Sequence, residues 1–404
     1  MQFQQIIGQQ ATKQQLTELS GHNRLGHALL FLGPEGSGAL PLALAFAQFM
    51  VCEKVNAKHN PSASVSLFGA PEPQAFEAEA ALPTESCGIC PACIKASRLI
   101  HPDIHYSYPV ISKKAGEKPV SADFITEWRN FILQYPYGNA YDWLQFIGAE
   151  NKQGNITAQE CSDIIHQLSL KSFESEYKIL IMWMPEYLGN EGNKLLKLIE
   201  EPPANTLFIL VAENESLILP TILSRTQLIR IPPLDTRDIE AALAERAKIS
   251  LDQARQVAAI SEGNYRDALQ LLQHAEEDWQ SLLREWLNAT LKTGPLAQVR
   301  WIDEVSKLGR ERQKQFLRYF NHLLEQAIRV RVMDDRDLNI PANEKDFADR
   351  LNKLTDVSQQ QAIITELDRA TYYIERNAHS KMLFHALTIR LYHIIAHKQV
   401  MVVN

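Results

Sequence analysis

Over its first 233 positions the chain alternates short apolar blocks with stretches of helical period. His27–Leu32 is an apolar run ending in a glycine turn, which predicts a buried strand. Leu40–Glu53 follows with helical spacing, and Pro41 is tolerated because it lies in the first turn, where its missing N–H costs nothing. Residues 54–86, rich in Ala, Pro, Ser and Glu, hold no period and predict a long surface loop. Asp103–Val110 predicts a second strand. Residues 111–150 carry Trp128, Tyr135, Tyr137 and Trp143 between helical pieces and read as an insertion. A helix over Ala158–Phe173, an apolar strand over Lys178–Met184 and a helix over Asn193–Glu200 come next. Pro202-Pro203 stops that helix. The strand Thr206–Val211, a short helix closing on Ser224-Arg225-Thr226 and the strand Gln227–Ile231 complete the series. Near-continuous apolar strands alternating with helices predict an α/β fold, a parallel sheet covered on both faces.

Pro232-Pro233 ends that rhythm, and the pattern beyond is helical throughout: Thr236–Lys248, Leu251–Ile260, Tyr265–Glu276, then longer segments. Phe316, Phe320, Leu323, Leu324 and Ala327 form one apolar stripe, and Leu383, Leu387, Leu391, Ile394 and Ile395 form another. The expected division is an α/β domain over 1–233, a small helical domain over 234–278 and an all-helical domain over 279–404, with a break near Glu276–Trp279. No internal repeat is evident.

Length and composition bound the class. A chain of 404 residues exceeds one ordinary domain, and 45% apolar residues supply real cores. The longest apolar run, Ala39–Val51, falls short of the roughly 20 residues of a membrane helix. Met1-Gln2-Phe3-Gln4-Gln5 lacks the basic start of a signal peptide, so a cytoplasmic protein is expected. A net charge of -7 argues against a surface that wraps nucleic acid generally, though not against a local basic patch.

The turn after the first strand, Gly33-Pro34-Glu35-Gly36-Ser37-Gly38, has the glycine frame of a phosphate loop, G-x-x-x-x-G-K-[ST]. In a working loop the backbone amides cradle phosphate, the lysine neutralises the β/γ charge and the hydroxyl holds Mg²⁺. Here Ala39 stands at the lysine position and Leu40 at the hydroxyl position. The frame survives without its chemistry, so nucleotide binding is expected to be weak or absent and hydrolysis crippled. The strand Ile179-Leu180-Ile181-Met182 runs into Trp183-Met184-Pro185-Glu186, leaving one displaced carboxylate, which reads as a solvated turn residue.

The five cysteines give no disulfide framework. Cys87-Gly-Ile-Cys90-Pro-Ala-Cys93 brings three thiols into one turn-rich segment, and Cys52 ends the first helix. That set suits one structural zinc per chain in a module over about 52–101, with His101 or His105 as alternatives to Cys52. Ser97 occupies the place of a ferredoxin's fourth cysteine, which argues against an iron–sulfur cluster. Cys161 reads as a buried helix residue.

Together these motifs resemble the AAA+ family of bacterial clamp-loader subunits, in particular the delta-prime type of DNA polymerase III. The resemblance begins at Ile6-Ile7-Gly8-Gln9 and Asn23-Arg24-Leu25-Gly26-His27-Ala28-Leu29-Leu30 and continues through the cysteines and His101-Pro102-Asp103. It is strongest at 193–231 and resumes at Glu375-Arg376-Asn377-Ala378. It implies a RecA-like sheet, a helical lid and an oligomerising collar. It also implies a ring with tau/gamma and delta subunits that places a sliding clamp on primer–template DNA. By the same resemblance, Arg225 of Ser224-Arg225-Thr226 is an arginine finger for a neighbouring ATP site. Arg266 in Gly263-Asn264-Tyr265-Arg266 matches the arginine of the family's second sensor, either as a relic or as an ion-pair partner of the lid. The rival readings are a tau/gamma-type ATPase, which Ala39 and Leu40 argue against, and a zinc-bearing nucleic-acid-binding protein, which the acidic charge argues against.

Overall fold

The computed structural model describes residues 1–22, 24–57, 83–112, 118–149, 154–273, 279–332, 342–375 and 378–398. Most of the predicted 54–86 loop, Asn23, the end of the predicted helix at Glu276 and Arg376-Asn377 lie outside them. Internal contacts divide the chain into two units, Met1–Arg266 and Asp267–Asn404.

The first unit is built on strands of which the central ones are apolar on both faces and the two at the edges are mixed. The strands are β1 (Ala28–Leu32), β2 (Ile104–Ser107), β3 (Lys178–Trp183), β4 (Thr206–Ala212) and β5 (Gln227–Arg230). They form one parallel sheet in the order β2-β3-β4-β1-β5. Because successive side chains point to opposite faces, Leu29, Phe31, Ile179, Ile181, Ile209 and Val211 enter one core. Leu30, Leu180, Met182, Phe208 and Leu210 enter the other. Every residue of β3 and β4 is buried, which explains their unbroken apolar runs.

The helices of this unit are α1 (Gln10–Gly21), α2 (Ala39–Val51), α3 (Glu53–Ala57), α4 (Pro91–Ser97), α5 (Ile125–Gln134), α6 (Ala140–Phe146), α7 (Ala158–Ser169), α8 (Leu196–Glu200), α9 (Pro220–Leu223), α10 (Thr236–Ala242) and α11 (Leu251–Ile260). Helix α2 is buried on all sides, as its almost wholly apolar composition requires, and Gln48, its one polar residue, is hydrogen-bonded there to Ser86 and the N-terminal amine. The predicted helix over Asn193–Glu200 is shorter than its pattern suggested. Only Leu196–Glu200 is α-helical, because Pro185, Gly189 and Gly192 punctuate a 3₁₀ segment before it.

The aromatic insertion is part of the core. Trp128 stacks on Tyr108 with centroids 4.1 Å apart and meets Trp143 edge-on at 5.3 Å. It also touches Trp183 at the end of β3, at 5.2 Å. The Trp143 indole N–H donates to the Pro109 carbonyl at 2.7 Å, so its polar handle is satisfied in the interior. Helices α5 and α6 are thereby fixed at the C-terminal ends of β1 and β3, where the glycine loop lies.

Next in chain order is α12 (Tyr265–Gln273). The second unit, Asp267–Asn404, contains α13 (Trp279–Asn288), α14 (Pro295–Val305), α15 (Arg310–Val332), α16 (Ala342–Leu354), α17 (Val357–Glu375) and α18 (Ser380–His397). Its core forms around Trp286, which stacks on Trp301 at 4.6 Å and donates its N–H to Thr388 Oγ1 at 2.9 Å. Phe316, Phe320, Leu323, Leu324 and Ala327 are all fully buried there. In α18 the stripe of Leu387, Leu391, Ile394 and Ile395 is buried together with Phe384, whereas Leu383 is half-buried. Among the described residues no helix is long and apolar enough to cross a membrane.

Candidate functional site

The glycine loop joins β1 to α2 through two left-handed residues, Gly36 at φ 71° and Gly38 at φ 89°. Both positions are also crowded. A Cβ on Gly36 would run into the Asn264 side chain, and one on Gly38 would lie 3.0 Å from Cε1 of Tyr137. Glycine is therefore required twice over, by conformation and by close approach. Ala39 and Leu40 are buried in the core of α2. Neither offers an ammonium or a hydroxyl to a phosphate. The space beside Gly33, Gly36, Gly38, Tyr137 and Trp183 is a cavity of about 20 Å³. That holds about one water, against the roughly 300–1,000 Å³ of an ordinary small-molecule pocket.

Tyr137 closes this space. Its phenol oxygen accepts the Ile7 N–H at 2.9 Å, and its ring meets Tyr265 edge-on at 5.0 Å. Burial raises the phenol pKa to about 12, against the opposing effect of the Ile7 amide. Next to it, Arg266 is buried and held by carboxylates from two elements. Its Nε and Nη2 donate to Oδ2 and Oδ1 of Asp142 at 2.5 and 2.6 Å, and its Nη1 donates to Oε1 of Glu35 at 2.7 Å. The bidentate fork is the strong geometry for arginine and carboxylate. Tyr137 and Asp142 were not singled out from the sequence as site residues. Asn139-x-x-Asp142 was a legible signal, because the pair forms the reciprocal cap of α6, with bonds of 2.9 and 3.1 Å.

Glu186 is not the solvated turn residue its sequence context suggested. Its Oε1 accepts the N–H groups of Glu213 and Asn214 at 2.7 and 2.9 Å, tying β3 to the end of β4. Among the described residues its Oε2 is buried with no partner. Burial outweighs the amide bonds and raises the carboxyl pKa above the ordinary 4.5. The proton is thus held more tightly in the folded chain. The stabilisation from that proton is complete below 4.5 and is lost as pH rises through the folded value. At neutral pH the buried charge is a liability, and a neutral amide left unpaired costs less than a charged oxygen. Glu186→Gln is expected to raise the melting temperature at neutral pH by about 2–4 °C, with the gain vanishing at pH about 4. Melting curves across pH check this; a variant less stable than the parent at neutral pH contradicts it.

Arg225 follows α9 at the surface, one-third exposed, far from burial in any core. Its guanidinium folds back on Glu200 at the end of α8, and Nη1 donates to the Thr221 carbonyl at 2.8 Å and to Ser224 Oγ at 3.1 Å. The Thr226 hydroxyl donates to the Leu223 carbonyl at 3.1 Å. An ion pair this exposed contributes about 0–1 kcal/mol, so a stronger anion can draw the guanidinium away.

Cys52, Cys87, Cys90 and Cys93 converge, with sulfur atoms all within 4.8 Å of one another. Sγ of Cys87 and Cys93 are 3.9 Å apart. A tetrahedral zinc with Zn–S bonds of about 2.3 Å sets its sulfurs roughly 3.8 Å apart, so the donor set fits. Backbone N–H groups of Cys87, Cys90 and Cys93 point at the sulfurs of Cys52, Cys87 and Cys90, at 3.3 to 3.4 Å. For Cys87, burial raises the thiol pKa, but bonds from Ile89 and the neighbouring cysteines overcome it and bring it to about 6. Burial pushes Cys90 and Cys93 upward. His101 stands apart: its Nδ1 accepts the Asp103 N–H at 3.1 Å and its Nε2 faces Glu174 at 3.3 Å. His105 lies on β2, and Ser97 caps its own helix turn through the Ile94 carbonyl. Cys161 is buried in α7, where burial pushes its thiol up to about 11.

A parallel sheet whose first strand turns through a left-handed glycine loop into a buried helix defines a phosphate-loop class of α/β domain, here without the loop's cation and hydroxyl. Residues 8–67 and 74–235, more than half the chain, match the family described as DNA polymerase III, delta subunit. The chain belongs to that family and is a delta-prime-like clamp-loader subunit. It is similar to the DNA polymerase III subunit delta' of Bacillus subtilis (strain 168), 26% identical over 255 residues, which are 63% of this chain and 56% of that protein. Identity to the subunit delta' of Pseudomonas aeruginosa is 26% over 210 residues, 52% of this chain and 44% of that one. The chain thus spans about half the length of these relatives. Among solved structures, a gamma subunit-related protein from Thermotoga maritima aligns over 93% of this chain and 98% of its own, at 15% identity and a TM-score of 0.37.

Proposed function

We propose that this chain is a non-hydrolysing subunit of the DNA polymerase III clamp loader, working in the cytoplasm to help place the sliding clamp on primer–template DNA. Its partners in this reading are tau/gamma and delta subunits, with the clamp and DNA reached through the assembly. The observation that carries the proposal is the glycine loop, whose frame is intact while Ala39 and Leu40 are buried where a lysine and a hydroxyl are needed. Phosphoryl transfer relies on positioned cations around the transferring group, and this loop supplies none.

In this reading Arg225 works outside its own chain. Its planar fork suits the oxygens of a transferring phosphoryl, and it leaves Glu200 at small cost. The neighbouring tau/gamma site would receive it in trans. The four cysteines would hold one structural zinc, since four protein ligands leave no open position for water. The segment 234–278 would serve as the lid and the helices of 279–404 as the collar.

The test is ATP hydrolysis by the purified chain alone. No release of phosphate above a buffer blank is expected. Turnover that disappears on Gly38→Val would overturn the proposal, because it would locate a working site in this loop.

A further inference from the structure

We infer that residues 135–142 of the insertion are a resident occupant of the vestigial phosphate cradle: Tyr137 fills the space over Gly38, and Asp142 gives Arg266 the negative charge that a ligand would otherwise bring. This goes beyond the loss of the lysine and hydroxyl, since it is a separate steric and electrostatic barrier, and it holds whether or not Arg225 acts in trans.

The geometry is specific on both counts. The Tyr137 ring is fixed from three sides, by the Ile7 amide, by the Tyr265 ring and by the bare backbone of Gly38. With that ring in place the cradle keeps about 20 Å³, so a triphosphate cannot enter without moving the insertion. Arg266 faces the loop from the helical segment after Pro233 and is buried; Arg246, on the same segment, interacts with the Tyr137 and Tyr265 phenols. A buried guanidinium needs a fixed anion, and removing one partner of such a group leaves an uncompensated buried charge. Asp142 meets that need with two bonds while also capping its own helix. Glu35, inside the glycine loop, supplies the second carboxylate. Asn264 and Tyr265 press on the same loop, with the Tyr265 N–H 3.3 Å from the Gly36 carbonyl.

The consequence is a clamp that does not depend on a ligand. Where a nucleotide would bridge the loop and the helical segment, residues of the chain itself do so. The segment over 234–266 is held to the sheet in every state of the cell's nucleotide pool.

The experiment compares full-length variants in binding of Mg²⁺–ATP by calorimetry. Restoring the loop with Ala39→Lys and Leu40→Thr is expected to give no saturable binding by itself. Adding Tyr137→Ala and Asp142→Ala to that pair is expected to produce it. Saturable binding by the restored loop with Tyr137 and Asp142 in place would overturn the inference, and so would a folded quadruple variant that binds nothing. Amide hydrogen exchange on the single variant Asp142→Asn keeps the matter open to refutation if the multiple variants do not fold. Exchange about tenfold or more faster than in the parent is expected at 33–38 and 255–266, and unchanged exchange in β3 and β4. Unaltered exchange at 33–38 and 255–266 would also overturn it.

Discussion

At the proposed zinc site, Cys90→Ser is expected to abolish metal binding and to unfold the segment around it. The side chain of Cys90 accepts the Cys93 N–H and caps the helix that carries Cys93; a serine hydroxyl keeps that cap, so the substitution removes the thiolate alone. Structural zinc contributes about 10–16 kcal/mol in peptides that fold only around the ion. Here Cys52 and Cys93 are also buried among apolar side chains, so the loss is smaller, several kcal/mol, with about 2–4 °C of melting temperature for each. Elemental analysis and a melting curve read the outcome. One zinc per parent chain and none in the variant is the expected pair of values. Parent protein prepared without chelators that carries no zinc would remove the metal from the account.

On the proposed role in trans, Arg225→Ala is expected to lower hydrolysis at a neighbouring tau/gamma site by about 10³-fold, the lower end of what arginine fingers contribute. Two physical features set that size. The guanidinium is one-third exposed and, among the described residues, bonds Glu200, Thr221 and Ser224 of its own surface, so it is available. A group that touches the transferring phosphoryl only from a neighbour acts on the transition state more than on binding, so the loss falls on the rate rather than on nucleotide affinity. Arg225→Lys keeps the charge but not the fork, and a marked reduction is expected there too.

Much of this was readable in the chain because the relevant constraints are local. The strands at Lys178–Trp183 and Thr206–Ala212 are buried on both faces and so carry unbroken apolar runs. The thiol cluster was legible in its spacing, and the missing loop chemistry in Ala39 and Leu40. What the sequence hid was non-local. Trp128 and Trp143 looked like decorations of an insertion, yet they are fully buried against Tyr108 and Trp183, which are distant along the chain. Arg266 finds Asp142 across 124 positions, a pairing that no periodicity encodes. Glu186 reads as a turn residue for the same reason: its partners, the amides of Glu213 and Asn214, come from the next strand's end.

The decisive measurement is the single-turnover rate of ATP cleavage in a clamp loader reassembled from tau/gamma, delta and this chain, with either Arg225 or Arg225→Ala. Equal nucleotide binding and a rate about 10³-fold lower at the affected site are predicted for the variant. Equal rates in the two assemblies would show that the guanidinium serves no neighbour.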